Sequence, residues 1–189
     1  KVYDGKPLTN NEVTVSDDGF AKEEGAAYAF TGTQTEVGSS DNAFTYKLND
    51  GTKAENYNIT VVLGKLTVTE LTDKVIVTIT EHSGSKMYDG DEMVVTGYDV
   101  EISNPLYKES DFSFNGDATV KGTDAGTYEM QLTAEDFVNN SKNITNVEFK
   151  IVDGTLEISK RNVTLTSATD SKVYDGKPLT NNEVTVSDD

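Results

Sequence analysis

The chain has 189 residues, no cysteine, no tryptophan and one histidine, and its formal net charge is −17. The lack of cysteine excludes disulfides and thiolate metal sites. The acidity argues against nucleic acid and anionic membranes as partners, because both would be repelled. No apolar run reaches the length of a membrane span, and the wealth of Thr, Asn, Asp and Gly is the profile of a strand-and-turn protein.

The chain repeats itself. Residues 172–189 read KVYDGKPLTNNEVTVSDD, identical to residues 1–18, and a diverged copy, KMYDGDEM, starts at Lys86. The opening lysines Lys1, Lys86 and Lys172 stand 85 and then 86 positions apart. A period of that length is one small domain per repeat, large enough to bury a modest core. The third copy matches the first and not the second, so the pattern is an alternation of two repeat types with a period of 171 residues. The expected organisation is a first repeat at residues 1–70 lacking its first strand, a complete second repeat at 71–160, and the start of a third at 161–189. Because the chain opens inside a repeat it reads as a fragment, and the lack of a leader segment carries no information.

Taken in chain order, strand signals dominate. Glu12-Val13-Thr14-Val15-Ser16 alternates polar and apolar residues, as a half-buried strand does. The stretch from Gly19 to Tyr28 could form a turn or two of helix, but glycines bracket it. Tyr28 and Phe30 in the first repeat correspond to Phe112 and Phe114 in the second, and Phe44, Tyr46 and Leu48 to Tyr128, Met130 and Leu132. Each set is spaced by two, so each lies on one side of a strand, read as the core face. A closing hairpin is expected in each repeat. In the first it joins residues 58–63 to 66–69 through Gly64-Lys65, and in the second residues 147–152 to 155–158 through Asp153-Gly154. The second repeat carries a short insertion, placed near residues 136–142 as a polar loop. Val75-Ile76-Val77-Thr78-Ile79-Thr80 is β-branched throughout, which suits a strand, and residues 163–166 are its counterpart before the third copy. The linker between the repeats, residues 70–73, is very short, which suggests a stiff rod.

The segments Lys1-Val2-Tyr3-Asp4-Gly5, Lys86-Met87-Tyr88-Asp89-Gly90 and Lys172-Val173-Tyr174-Asp175-Gly176 share one pattern. Asp before Gly is turn chemistry, since Asp can bond its own downstream backbone and Gly accepts a left-handed conformation. A Tyr in such a place can bury its ring and leave the hydroxyl to a backbone partner. The expected role of Tyr3, Asp4, Gly5, Tyr88, Asp89, Gly90, Tyr174, Asp175 and Gly176 is structural, as corner formers. With Asn56-Tyr57-Asn58-Ile59-Thr60 and Gly64-Lys65-Leu66-Thr67-Val68-Thr69, these segments resemble the YDG-type and mucin-binding (MBG-type) tandem repeats of bacterial cell-surface adhesins. The first repeat matches their closing pattern N-Y-x-I-x-x-x-x-G-x-L-x-V from Asn56 to Val68. The second departs from it at Ser141-Lys142 and reads as the more distant relative. The resemblance implies large extracellular proteins of the bacterial cell surface, built from β-rich repeats of β-grasp-like or immunoglobulin-like fold.

Little else in the chain points to chemistry. His82 lies in a loop with nothing like a nucleophile elbow around it, and one histidine without cysteine makes no zinc site. No enzyme is expected. No cofactor is expected either. Calcium is the one candidate, through oxygen ligands in Ser16-Asp17-Asp18, Asp89-Gly90-Asp91-Glu92 and Asn115-Gly116-Asp117, although none follows the spaced calcium loop. Asn58-Ile59-Thr60, Asn143-Ile144-Thr145 and Asn162-Val163-Thr164 fit the N-glycosylation pattern, which an Asn- and Thr-rich chain produces by chance.

The expectation is therefore an all-β chain of tandem small domains. Its leading function is a structural stalk or spacer repeat of a secreted adhesin-like protein, and the alternative is a weak multivalent mucin- or glycan-binding repeat. Exposed Tyr28, Tyr98 and Tyr107 would favour the alternative. The expected partners are neighbouring repeats of the same protein, with host mucin or glycan under the alternative. Strand exchange between chains through residues 162–189 is also expected, because a sheet short of a strand has an open edge.

Overall fold

The computed structural model describes residues 1–187; Asp188 and Asp189, the last two residues of the third copy, lie outside the described residues. The first repeat forms β1 (Ala26–Phe30), β2 (Gly38–Asp41), β3 (Phe44–Leu48) and β4 (Lys65–Val68). The second forms β5 (Val75–Glu81), β6 (Gly84–Met87), β7 (Met93–Thr96), β8 (Tyr98–Ile102), β9 (Phe112–Phe114), β10 (Thr119–Gly122), β11 (Gly126–Glu129), β12 (Phe137–Asn139), β13 (Val147–Val152) and β14 (Thr155–Ser159). The third copy supplies β15 (Leu165–Ser167) and β16 (Val184–Val186). The chain is all-β. Among the described residues helix is confined to three single 3₁₀ turns at Ala54–Asn56, Glu109–Asp111 and Ala134–Asp136.

By its internal contacts the chain divides into two compact units, and the division cuts across the sequence repeats. The first unit comprises Lys1–Ile79, Val100–Gly116 and Thr133–Ile151; the second comprises Thr80–Asp99, Asp117–Leu132 and the chain from Val152 onward. Within the first unit β1 pairs with β3 and β2 with β4, both antiparallel. Most of the three-stranded sheet β13–β5–β8 also lies here, with β5 at its centre. The β-branched run of β5 alternates strictly, so Val75, Val77 and Ile79 point inward and are fully buried. Burying each such side chain contributes about 1.5–3 kcal/mol. Beside them an aromatic cluster joins Phe112, Phe137 and Phe149, with ring centroids 5.3–6.0 Å apart.

The second unit contains the pair β7–β10 and the sheet β11–β14–β6, in which β14 runs parallel to β6. That parallel pair departs from an all-antiparallel immunoglobulin sandwich. Val95, Val120, Met130, Leu132, Leu156 and Ile158 form its core. Glu81, the last residue of β5, is buried among them at 3 % exposure. Its carboxylate accepts the Leu132 N–H at 2.8 Å and the Gly154 N–H at 2.9 Å. The hairpin β15–β16 completes this unit, and its strand residues are exposed.

Several expectations need correction, and most for one reason. Residues 12–16 and 58–63 form no strand. Their counterparts in the second repeat, β8 and β13, pair with the two edges of β5, and no described residue of the first repeat takes that central place. The core is correspondingly thin there: of the buried apolar side chains only Leu66 and Val68 belong to the first repeat. The closing hairpins do not form either. β4 pairs with β2, while β13 and β14 join different sheets. Neither Gly64 nor Gly154 has the positive φ of a tight hairpin turn. Gly154 instead runs against β5, where an added Cβ would stand 2.3 Å from the His82 carbonyl oxygen. The stretch from Gly19 to Tyr28 forms no helix; turns at residues 17–18 and 22–23 lead into β1. The insertion is not a polar loop, because it contains β12 and the buried Phe137.

Glu81→Ala would leave two buried N–H donors without an acceptor, at roughly 1–3 kcal/mol each. The urea midpoint is expected to fall sharply for Glu81→Ala and less for Glu81→Gln, which keeps one oxygen acceptor. An unchanged midpoint in Glu81→Ala would remove this clamp from the account of stability.

Candidate functional site

The three Lys-x-Tyr-Asp-Gly segments build the same turn. Lys1 Nζ donates to Asp4 Oδ1 at 2.5 Å, Lys86 Nζ to Asp89 Oδ1 at 2.6 Å and Lys172 Nζ to Asp175 Oδ1 at 2.8 Å. The same aspartate oxygen accepts a backbone N–H two residues on, from Lys6, Asp91 and Lys177 respectively, at 2.9–3.0 Å. The ammonium also reaches a downstream carbonyl, of Lys6, Asp91 or Pro178. Gly5, Gly90 and Gly176 have φ of +72°, +90° and +74°, the left-handed region that only glycine enters without strain. The lysine hydrogen bond first, and then the backbone N–H, hold the carboxyls of Asp4, Asp89 and Asp175 below the usual carboxylate range.

The tyrosine is not part of this turn, and its surroundings differ from copy to copy. Tyr3 is half-buried; burial, and then the negative charges of Glu36 and Asp111, push its hydroxyl up, against a hydrogen bond with the Asn143 side chain. Tyr88 is more exposed, and Tyr174 is 92 % exposed. Just before the Asp-Gly corner the first and second repeats pair alike. The Tyr3 N–H donates to the Thr69 carbonyl at 2.8 Å, and the Tyr88 N–H to the Ser159 carbonyl at 2.9 Å.

Residues 75–160 match the family model of the MBG domain. The second repeat is an MBG domain. No curated protein and no solved structure matches the chain. The match falls on the second repeat, although the closing sequence pattern singles out the first. It spans β5 to β14, the stretch in which the central strand and both of its partners are present.

In the MBG domain His82 directly follows β5, with Nδ1 2.8 Å from the Thr96 carbonyl oxygen and Nε2 3.3 Å from Asp99 Oδ1. The carbonyl and then the carboxylate raise its pKa. Among the described residues no group of three or more His, Asp or Glu stands together as a metal site would need. Of the acidic turns read as calcium candidates, the one at residues 89–92 has its Asp89 engaged by Lys86. Tyr28, Tyr98 and Tyr107 form no exposed aromatic band: Tyr28 and Tyr98 are half-buried and Tyr107 is 1 % exposed. The Tyr107 hydroxyl donates to Asn139 at 2.9 Å, and burial pushes its pKa up to about 12. Tyr46, Tyr88 and Tyr174 are the exposed ones.

Sequence reasoning missed a residue whose side chain is hydrogen-bonded to the first repeat. Asn143 of the MBG domain accepts the Val37 N–H on Oδ1 at 2.9 Å and donates from Nδ2 to the Glu36 carboxylate. Its carbonyl accepts the Leu71 N–H at 3.0 Å. Next to it, Leu71 forms a parallel bridge with the buried Ile144. The Thr145 hydroxyl donates to Glu70 at 2.6 Å, and Asn146 Nδ2 to the Thr72 carbonyl at 2.9 Å. The linker is thus hydrogen-bonded at Glu70, Leu71 and Thr72. The available signal was Asn143-Ile144-Thr145, a triplet shared with Asn58-Ile59-Thr60.

A depressed aspartate pKa stabilises the turn above the ordinary carboxylate range and loses that contribution as pH falls through the lowered value. Carboxyl NMR titration is expected to place the Asp89 midpoint below that of a free aspartate, and Lys86→Met to raise it; an unmoved midpoint would contradict the pairing. Gly90→Ala meets no atom within 4 Å, so its cost is backbone strain alone, about 1–2 kcal/mol by thermal or urea unfolding.

Proposed function

We propose that this chain is a structural spacer from the repeat array of a secreted bacterial surface protein, acting outside the cell to hold an adhesive part away from it. The observation that carries the reading is the joint at residues 70–72 and 143–146. A free linker would let successive domains reorient, which is the default for small polar interfaces. Here the short linker is paired with the following domain through backbone and side-chain hydrogen bonds. The contacts from Asn143 to Glu36 and Val37 tie the same loop to the first repeat. Such a joint suits a module whose work is mechanical and additive. The net charge of −17 supports it by keeping neighbouring copies apart.

Asn143→Ala removes the side-chain hydrogen bonds to Glu36 and Val37 and leaves the MBG core untouched. Amide ¹⁵N relaxation at residues 70–73 is expected to show larger fast motion in this variant, with the order of β5 and β14 unchanged. Equal order in the two proteins would count against a stiffened joint. On a mucin and glycan array, a multivalent display of the chain is expected to stay silent with and without calcium. Saturable binding, abolished by Tyr46→Ala or Tyr88→Ala, would replace the spacer reading with glycan recognition.

A further inference from the structure

We propose that Asn115-Gly116, just after β9 in the MBG domain, is a self-modification site, where the asparagine loses its side-chain amide by closing a succinimide ring on the Gly116 nitrogen. Three observations lead there.

The glycine is demanded by packing. A Cβ on Gly116 would stand 2.8 Å from Phe114 Cε2 and 3.0 Å from Asp136 Cγ. The amide that follows Asn115 therefore carries no side chain to shield it. Asn115 and Gly116 are both exposed, and among the described residues nothing hydrogen-bonds the Asn115 side chain. The chain contains no other Asn-Gly step.

The Gly116 nitrogen is free where its counterpart is held. Phe30 stands opposite Phe44 as Phe114 stands opposite Phe137. The next residue in each case donates its N–H across the pair, Thr31 to the Ala43 carbonyl and Asn115 to the Asp136 carbonyl, both at 2.8 Å. In the first repeat the following N–H, of Gly32, donates to the same Ala43 carbonyl at 2.9 Å. The Gly116 N–H makes no hydrogen bond among the described residues. The MBG domain thus pairs a free nitrogen with an asparagine, whereas the first repeat pairs a bound nitrogen with Thr31, which has no amide to lose.

The neighbouring asparagines are guarded. Asn140 precedes the small Ser141, but the Ser141 N–H donates to Asn139 Oδ1 at 2.9 Å. Asn143 and Asn146 precede Ile144 and Val147, whose β-branches crowd the amide, and both side chains are themselves hydrogen-bonded.

The step needs only water. The Gly116 nitrogen attacks Asn115 Cγ, its proton passes to the departing amide nitrogen, and the Cγ–Nδ2 bond breaks to release ammonia. Water then opens the ring. Breaking the new N–Cγ bond leaves aspartate. Breaking the bond from that nitrogen to the Asn115 backbone carbonyl carbon leaves isoaspartate, with the main chain rerouted through the β-carbon. Both products carry a negative charge where a neutral side chain stood, and the second adds a methylene to the connection between β9 and β10. The mark accumulates with time and distinguishes the two repeat types chemically.

Incubation of the full chain at mildly alkaline pH, followed by peptide mapping with mass spectrometry, tests this. The peptide holding Asn115 is expected to gain the mass that separates an acid from an amide and to split into aspartate and isoaspartate forms. The peptides holding Asn140, Asn143 and Asn146 are expected to stay intact. Thr31→Asn creates a second Asn-Gly step, in which the Gly32 N–H stays bound to Ala43. Its conversion is expected to lag behind that of Asn115 in the folded chain and to draw level in urea. Unchanged hydrogen-exchange protection of β1 and β3 would show that the variant remains folded. Conversion of Asn115 only in urea, equal conversion at both steps in the folded chain, or a lag that persists in urea would each overturn the proposal.

Discussion

A strand at the centre of a sheet must satisfy hydrogen-bonding groups on both edges and bury every second side chain, and in this molecule one strand does so for a whole domain. β5 supplies the partner for β8 and for β13, three inward aliphatic side chains, and at its end a carboxylate that holds the backbone of Leu132 and Gly154. The first repeat is the internal control. Its sequence carries the same alternating flanks, yet with no residue in the central position they stay irregular and its buried apolar core shrinks to Leu66 and Val68. Strand formation at these flanks is a property of the pairing and not of the segment. The third copy makes the same point from the other side, since Val184-Thr185-Val186 forms a strand where the identical Val13-Thr14-Val15 does not.

The Lys-x-Tyr-Asp-Gly segment behaves in the opposite way. Its lysine and aspartate pair in all three copies and its glycine keeps a positive φ in each, including the exposed third. The turn is local and needs no domain around it. Its tyrosine is the part that answers to context: half-buried beside Asn143 in the first copy, more exposed in the second, and almost wholly in solvent in the third. One short motif thus combines an autonomous corner with a side chain that registers whether a neighbour is present.

The local features were readable from the sequence. The β-branched alternation of Val75, Val77 and Ile79 located β5, the Lys-x-Tyr-Asp-Gly segments located the corners, and the correspondence of the two repeats placed Met130 and Leu132 in the core, although Tyr46, read on the same face, is exposed. Pairing partners were not readable, because period-two patterning fixes which face a residue takes and says nothing about which strand lies alongside. That is why Asp153-Gly154 looked like a hairpin turn when it passes between two sheets. Glu81 was hidden for a related reason. It holds the fourth inward position of an otherwise apolar alternation, and only the two approaching N–H groups explain a carboxylate there. Asn143 sat inside a triplet that chance alone would supply, and its role depends on Glu36 and Val37, more than 100 residues away in the chain.

The identity of residues 1–18 and 172–189 means that a strand able to pair with one can pair with the other, so side-chain chemistry cannot tell the two acceptors apart. Discrimination then falls to proximity. A strand tethered a few residues from its acceptor experiences a far higher effective concentration of it than of one on a distant segment. Alternating two repeat types keeps identical acceptors 171 residues apart, with a diverged domain between them. Spacing along the chain thereby does the sorting that sequence difference does elsewhere, and it lowers the risk of cross-pairing between adjacent repeats while such an array folds.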